Sequence, residues 1–344
     1  MIYYRSLNNY LRETYGEKMY KLALDGGFSC PNRDGRISDR GCSFCLKGSG
    51  AFSASVNYRE EDSDKEVKKA VFTAIEEAKG ILGEKTAGSR FIAYFQSYTG
   101  TYAPLTKLKR IYSAALSHPE IEVLSVATRP DCLGDDVLKL LSGLNMSEEK
   151  PSGGAFPEAE ALSAGPHSKH SRDLQIESCP ENLPCGRHSK VWIELGLQTI
   201  HEKTAEKIRR GYPLSVYDEA MKKLRALGIP VIVHMILGLP GETPEMMVDT
   251  ARYIAKSGAS GIKFQLLHIL KGTDMAEDYE KGLFEPLSME EYIDILSECV
   301  SVLPPDIIVH RLTGDGARKD LLAPLWSLDK KRVLNEIHKR MQPL

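Results

Sequence analysis

Three thiols share one loop. Cys30, Cys42 and Cys45 lie in Cys30-Pro31-Asn32-Arg33-Asp34-Gly35-Arg36-Ile37-Ser38-Asp39-Arg40-Gly41-Cys42-Ser43-Phe44-Cys45, a C-x11-C-x2-C spacing. Three thiolates can hold three corners of an iron–sulfur cubane and leave the fourth iron open to a non-protein ligand. A structural zinc ion wants four ligands and closed coordination. No fourth ligand lies nearby, because the next cysteine is Cys132 and the first histidine is His118. Zinc binding, or three unrelated thiols, are the alternatives that the residues leave open. Cys132 and Cys299 are lone thiols and read as small buried apolar residues. Cys179 and Cys185, with His167, His170 and His188, fit no standard zinc spacing.

The chain that carries this loop has 344 residues and a formal charge of −2. At 42% hydrophobic and 27% charged residues it is an ordinary globular composition, which excludes wholesale disorder. No apolar run approaches the ~18–20 residues of a membrane span. The first residues, Met1-Ile2-Tyr3-Tyr4-Arg5, lack the apolar segment of a secretory leader. A cytoplasmic location with no membrane partner is expected. Seven cysteines, an odd number, make a poor disulfide framework and favour metal or redox chemistry.

The elements that must position the loop are legible as short β-branched or aromatic runs bounded by Gly or Pro. They are Tyr20-Lys21-Leu22-Ala23-Leu24, Phe91-Ile92-Ala93-Tyr94-Phe95, Val123-Leu124-Ser125-Val126-Ala127, Val191-Trp192-Ile193-Glu194-Leu195, Val231 to Leu237, and Ile262 to Leu267. Helix patterns lie between them. Residues 65–79 carry Val67, Ala70, Val71, Ala74 and Ile75 at helical spacing. Thr243-Pro244-Glu245 reads as an N-cap, a Pro at the first helical position and an early acid, with Gly258 as the stop. Six strand–helix units imply an α/β fold, a partial (βα)6 TIM-like barrel, with chemistry in the loops after the strands. Residues 146–189 have no apolar period and read as a disordered surface insertion. The expected organisation is a barrel over 1–270 and a C-terminal α/β extension over 271–344 that caps it.

The cysteine loop resembles the cluster-binding loop of radical S-adenosylmethionine (SAM) enzymes, with Phe44 at the aromatic position inside the last Cys-x2-Cys. The spacing is longer than the common C-x3-C-x2-C and is similar to that of the group around the Elongator catalytic subunit. Nearly the whole chain resembles the YhcC-like radical SAM family. The matching stretches are Leu24 to Gly35, Tyr94 to Thr99, Ala127 to Leu133, Glu194 to Thr199, Gly238 to Thr243, Leu267 to Thr273 and His310 to Asp315. The 146–189 insertion does not match.

This resemblance implies a [4Fe–4S] cluster on Cys30, Cys42 and Cys45. SAM would chelate the fourth iron and be cleaved to methionine and a 5′-deoxyadenosyl radical, with flavodoxin or ferredoxin as electron donor. It implies cofactor contacts at Phe44 and at Gln96, Ser97 and Tyr98, toward the methionine amino end; a plain strand-ending turn is the alternative for the last three. Thr128 and Glu194 belong to the same set. Gln198 and Arg210 resemble SAM contacts of coproporphyrinogen-oxidase-like members, Arg210 toward the carboxylate. His234 stands where that group has an acid near the ribose; a buried strand histidine is its alternative. Gly238 would permit backbone approach to adenine, and His268 would face substrate or pack in the core. His310 to Asp315 is too polar for plain packing and reads as a site segment.

For the substrate, resemblance to the Elongator catalytic subunit implies tRNA, modified at a wobble uridine. The basic run from Lys203 to Arg225, with Lys330-Lys331-Arg332 and Lys339-Arg340, offers phosphate contacts. A small metabolite such as a porphyrin, or a non-enzymatic Fe–S redox or haem carrier, are the competing classes.

Overall fold

The computed structural model describes residues 2–46, 53–83, 86, 89–146, 189–314, 316 and 318–343. Most of the 146–189 insertion, with Cys179 and Cys185, lies outside the described residues, as does Asp315.

The strands are β1 (Ile2–Ser6), β2 (Tyr20–Asp25), β3 (Ala54–Ser55), β4 (Phe91–Phe95), β5 (Ile121–Thr128), β6 (Val191–Gln198), β7 (Val231–Leu237), β8 (Gly261–Leu266), β9 (Ile269–Leu270), β10 (Ile308–Arg311), β11 (Leu321–Ala323) and β12 (Met341–Pro343). The helices are α1 (Leu7–Tyr15), α2 (Asp64–Leu82), α3 (Leu105–Leu116), α4 (Asp135–Met146), α5 (Glu202–Lys207), α6 (Leu214–Ala226), α7 (Pro244–Lys256), α8 (Asp274–Glu280), α9 (Met289–Ser301) and α10 (Lys330–Arg340). Capping chemistry fixes several of these. The Ser63 and Glu66 side chains close a capping box on α2, and Thr243 caps α7 with Pro244 at its first position.

Ten strands form one sheet in the order β12-β1-β10-β8-β7-β6-β5-β4-β2-β3. Every neighbouring pair in it is parallel. The six strands expected from sequence are the consecutive run β2, β4, β5, β6, β7 and β8. Among the described residues the end strands β12 and β3 do not pair, so the sheet described is an open one. The sequence did not reveal β1, nor that β10 and β12 join the same sheet.

Side chains alternate across each strand. One set, including Leu22, Leu24, Phe91, Phe95, Leu124, Val126, Ile193, Leu195, Val233, Met235, Ile262 and Phe264, packs under the helices in the main core. The other set faces the barrel interior, and it is layered. Met19, Ile92, Val123, Trp192 and Ile232 form an apolar bottom layer that Leu11 of α1 plugs. Leu11 is 2% exposed, and burying such a side chain contributes about 1.5–3 kcal/mol.

Above the plug the interior turns polar. The inward residues Lys21, Ala23 and Asp25 of β2, Ala127 of β5, Gly196 and Gln198 of β6, His234 of β7 and Gln265 of β8 all keep partial exposure. Small side chains at 23, 127 and 196 leave room there. The upper barrel is therefore a solvent-reached chamber with an apolar floor beneath it.

Candidate active site

The cysteine loop follows β2 and crosses the mouth of this chamber. It is folded by its own turns: the Arg33 N–H donates to the Cys30 carbonyl at 2.8 Å, the Ile37 N–H to Pro31 at 2.8 Å, and the Cys45 N–H to Cys42 at 3.0 Å. Gly41 has φ +78°, and a Cβ there would lie 2.8 Å from the Arg33 guanidinium carbon. The loop is then clamped to the chain after α5 and to α8. The Ser43 N–H donates to Ile208 O and the Met275 N–H to Ser43 O, both at 3.0 Å. Asn32 Nδ2 donates to Arg209 O at 2.6 Å, and Arg209 Nε to Gly41 O at 3.0 Å. Phe44 packs against the apolar group of Ile208, Ile236, Leu239, Leu267 and Met275.

The three thiols are free and half-buried. Burial and the neighbouring Cys45 push the Cys42 thiol up to about 11, while Asn32 Nδ2, 3.3 Å from its Sγ, and the Arg129 guanidinium pull the other way. Arg33 bonds the Cys45 carbonyl and is influenced by Cys45 and Cys30, and Arg129 by Cys30 and Cys42. Two guanidiniums thus face a set of three thiols. Two positive charges beside the thiols favour their ionised form, the form in which cysteine ligates iron. Asn32, Arg33 and Arg129 were not singled out from sequence, although each lies in a stretch that carried the resemblance.

The turn after β4 is strained in a way that points at the mouth. Ser97 has φ +28° and Tyr98 φ +64°. Gln198 at the end of β6 has φ +67°, and Arg209 φ +54°. These are all the non-glycine residues with positive φ among the described residues, and they cluster around one opening, as strained backbone does at functional sites. The β6–β7 register shifts between Gly196 and Gln198, a bulge that re-aims Gln198. The Ser97 hydroxyl is buried with no hydrogen-bond partner among the described residues. An orphaned donor at this place suits a polar ligand. Gln96 Nε2 donates to Ser53 Oγ at 2.9 Å, and the Tyr98 ring lies 5.6 Å from the Arg33 guanidinium.

Arg210, Thr128, His268 and Gly238, the other expected contacts in the loops and strand ends, have partners within the chain. Arg210 is 1% exposed, and its guanidinium donates to Tyr212 O at 3.0 Å, Thr199 O at 2.6 Å and Glu202 Oε2 at 3.2 Å. Those partners tie down the chain after β6, and the Arg210 fork is engaged in this structure by two backbone carbonyls and the Glu202 carboxylate. Thr128 is buried and pairs with the Thr101 hydroxyl. His268 lies against Gly314 and Gly316, with Nε2 3.2 Å from Ser327 Oγ, on the side of the C-terminal segment. Gly238 has φ +88° and its N–H points to Met247 Sδ at 3.2 Å.

Glu194 is the centre of the polar middle layer. It is fully buried. Its Oε1 accepts from Ser125 Oγ at 2.9 Å and from Lys21. Its Oε2 lies 2.9 Å from Lys263 Nζ and 2.7 Å from His234 Nε2. Lys263 Nζ also donates to the Tyr94 hydroxyl at 3.1 Å, and His310 Nδ1 stands 3.5 Å from Lys21 Nζ. Burial alone would raise the Glu194 carboxyl, but the ammoniums of Lys21 and Lys263 hold it well below its usual range. Burial lowers Lys263 to about 8. The signal for this layer was present in the sequence, as polar residues at alternate positions of otherwise apolar strands.

Burial, reinforced by Lys263, pushes His234 down to about 4. An unfolded histidine takes its proton near 6.5. Between those values the unfolded chain binds a proton that the folded barrel refuses, so stability falls as the pH drops through this window. Urea midpoints measured from about pH 7 to about pH 4 should fall more steeply for the wild type than for His234→Asn; parallel curves would contradict a neutral His234.

The fold and this loop define a radical SAM protein. The radical SAM superfamily model matches residues 177–254 and the radical SAM C-terminal domain model residues 259–343. YtqA of Bacillus subtilis is 38% identical over 98% of this chain and 89% of its own length. YhcC of Escherichia coli is 35% identical over 95% and 90%. The chain therefore belongs to the radical SAM family that contains YtqA and YhcC, and it is a radical SAM enzyme whose cofactors are a [4Fe–4S] cluster and SAM. Over 126 residues, 36% of this chain and 23% of the other, it is 28% identical to a tRNA uridine(34) acetyltransferase of Methanocaldococcus jannaschii. The structure of Elp3 from Methanocaldococcus infernus matches with a TM-score of 0.56 at 15% identity, over 92% of this chain and 63% of that one, a likeness of fold. Among the described residues no helix is long and apolar enough to cross a membrane.

Proposed function

We propose that Cys30, Cys42 and Cys45 hold the cluster, that SAM lies between it and the β4 and β6 strand ends, and that the substrate is a tRNA wobble uridine. The observation that carries this reading is the three-thiol loop with its two guanidiniums, set over an open polar chamber. When bound, the cluster and SAM supply one-electron cleavage of SAM and removal of a hydrogen atom from the substrate. The chain's own residues do the rest. Arg33 and Arg129 favour the ionised thiols. Ser97, Tyr98 and Gln198 present polar atoms where the backbone is held out of its ordinary conformations. Phe44 and its apolar neighbours keep water from one side of the site. The small inner side chains leave space for a flipped nucleoside, since a base must leave its stack to reach a barrel interior. The tRNA reading is supported by the partial match to an enzyme named for uridine 34. A small electron-transfer protein, flavodoxin or ferredoxin, would serve as reductant.

Nucleoside mass spectrometry of tRNA from a strain lacking the gene tests the substrate. An altered wobble uridine, restored by the wild-type gene but not by Cys42→Ala, is expected; an unchanged profile would sink the tRNA reading.

A further inference from the structure

The middle layer fixes the orientation of a side chain that faces the chamber. Glu194 is ionised between Lys21 and Lys263, so its Oε2 can only accept, and the 2.7 Å contact puts the proton on His234 Nε2. A neutral imidazole then has a bare Nδ1. That atom lies 3.3 Å from Gln265 Nε2, so the Gln265 amide N–H donates to it. The amide nitrogen being committed, the Gln265 oxygen points the other way. Gln265 is half-buried, next to the inward Lys263 on the same strand, so with its nitrogen turned to His234 the end of the side chain left to face the chamber is the oxygen. It opens on the chamber as an acceptor.

We propose that Gln265 is a specificity-determining residue that accepts a hydrogen bond from an N–H or O–H group of the molecule held in the barrel, with His234 and Glu194 as positioning residues that keep its amide from turning over. This rests on the reading of the chamber as the reaction site. Without the chain of bonds a primary amide presents either end, and its preference for donors over acceptors is lost. The matching chemistry is a ribose hydroxyl of the cofactor or an imide N–H of a uracil base, and the two are separable.

The test uses the full chain with its cluster reconstituted anaerobically. One arm measures binding of S-adenosylhomocysteine and of its 2′-deoxy and 3′-deoxy analogues. The other measures an anticodon stem-loop RNA carrying uridine or 3-methyluridine at the wobble position. In the wild type, removing the donor in at least one arm should weaken binding about 10- to 100-fold. In Gln265→Leu, and in Gln265→Met as a second isosteric variant, parent and analogue should bind alike. Glu194→Gln should reduce discrimination when residue 265 is Gln but not in combination with Gln265→Leu, which leaves no amide to orient; a merely structural role would change the binding of parent and analogue in the same way in both. The proposal is overturned if no analogue is weakened in the wild type, if both apolar variants discriminate as the wild type does, or if Glu194→Gln acts equally in both combinations. A stem-loop that does not bind at all removes the tRNA reading and leaves the S-adenosylhomocysteine arm to decide this one.

Discussion

Cys42→Ala should yield a folded protein that holds no cubane and forms 5′-deoxyadenosine from SAM only at background. Cys42 is bonded by Asn32 Nδ2 at 3.3 Å and lies close to both Cys45 and Cys30. A loop that offers three ligands has no spare, so removing one corner leaves two, too few to keep the cluster through anaerobic desalting. The fold should tolerate the change. The loop is held by backbone bonds and by the Asn32, Arg33 and Arg209 contacts, none of which uses the Cys42 sulfur except the weak one from Asn32. Cys132→Ala is the informative control. That thiol lies near Cys30 and is pushed up to about 12 by burial and by Asp131. It should leave the iron–sulfur absorbance and the SAM cleavage intact. Iron content, visible absorbance and 5′-deoxyadenosine together check the pair of variants. Cluster and cleavage that survive Cys42→Ala but not Cys132→Ala would reassign the ligand set.

The contrast between Cys42 and Arg210 shows which parts of the site a sequence can express. The spacing of three thiols on one loop is local, and chemistry alone limits what it can hold. The six barrel strands are legible for a similar reason, because each is a short apolar run whose burial on both faces requires helices on one side and an interior on the other. Arg210 also sits in a recognisable place, but its function depends on whether its donors meet backbone carbonyls first. They meet Thr199 and Tyr212, and only the folded turn reveals that. The strand β1 and the plug helix α1 were missed because a strand of five residues beside a nine-residue helix carries little periodic signal. Their partners, β10 and β12, lie at the far end of the chain. The polar middle layer was half-legible. Alternation marks Glu194, His234, Lys263 and Gln265 as facing one way. The pairing of Lys21 with Glu194 joins residues 173 apart in sequence, and no local pattern states it.

That pairing sets the second large effect. Glu194→Leu leaves Lys21 and Lys263 facing each other across the barrel with no carboxylate between them. Breaking a buried ion pair from one side typically costs about 3–5 kcal/mol, because an uncompensated charge remains behind. Lys21 is partly exposed and can turn toward solvent, whereas Lys263 is 7% exposed and cannot. Lys263 is already lowered to about 8 by burial, against the opposing pull of Glu194, and loss of the carboxylate lowers it further. The unfolded chain keeps its lysine protonated to near 10.4. Between the two values the unfolded state binds the extra proton, so the variant should gain stability as the pH rises, beginning at a lower pH than in the wild type. Adding Lys263→Met removes the stranded charge and should recover much of the loss, since an apolar replacement of a buried pair is often neutral or favourable. Glu194→Gln should fall between, because the amide oxygen still accepts from one neighbour while its N–H₂ opposes the others. Urea unfolding of the single and double variants at about pH 7 and about pH 9 reads all of this. A Glu194→Leu protein as stable as the wild type at both values, with no recovery from Lys263→Met, would show that the two lysines do not depend on Glu194, and the polar layer would then be a tolerated burden rather than the frame that orients the chamber.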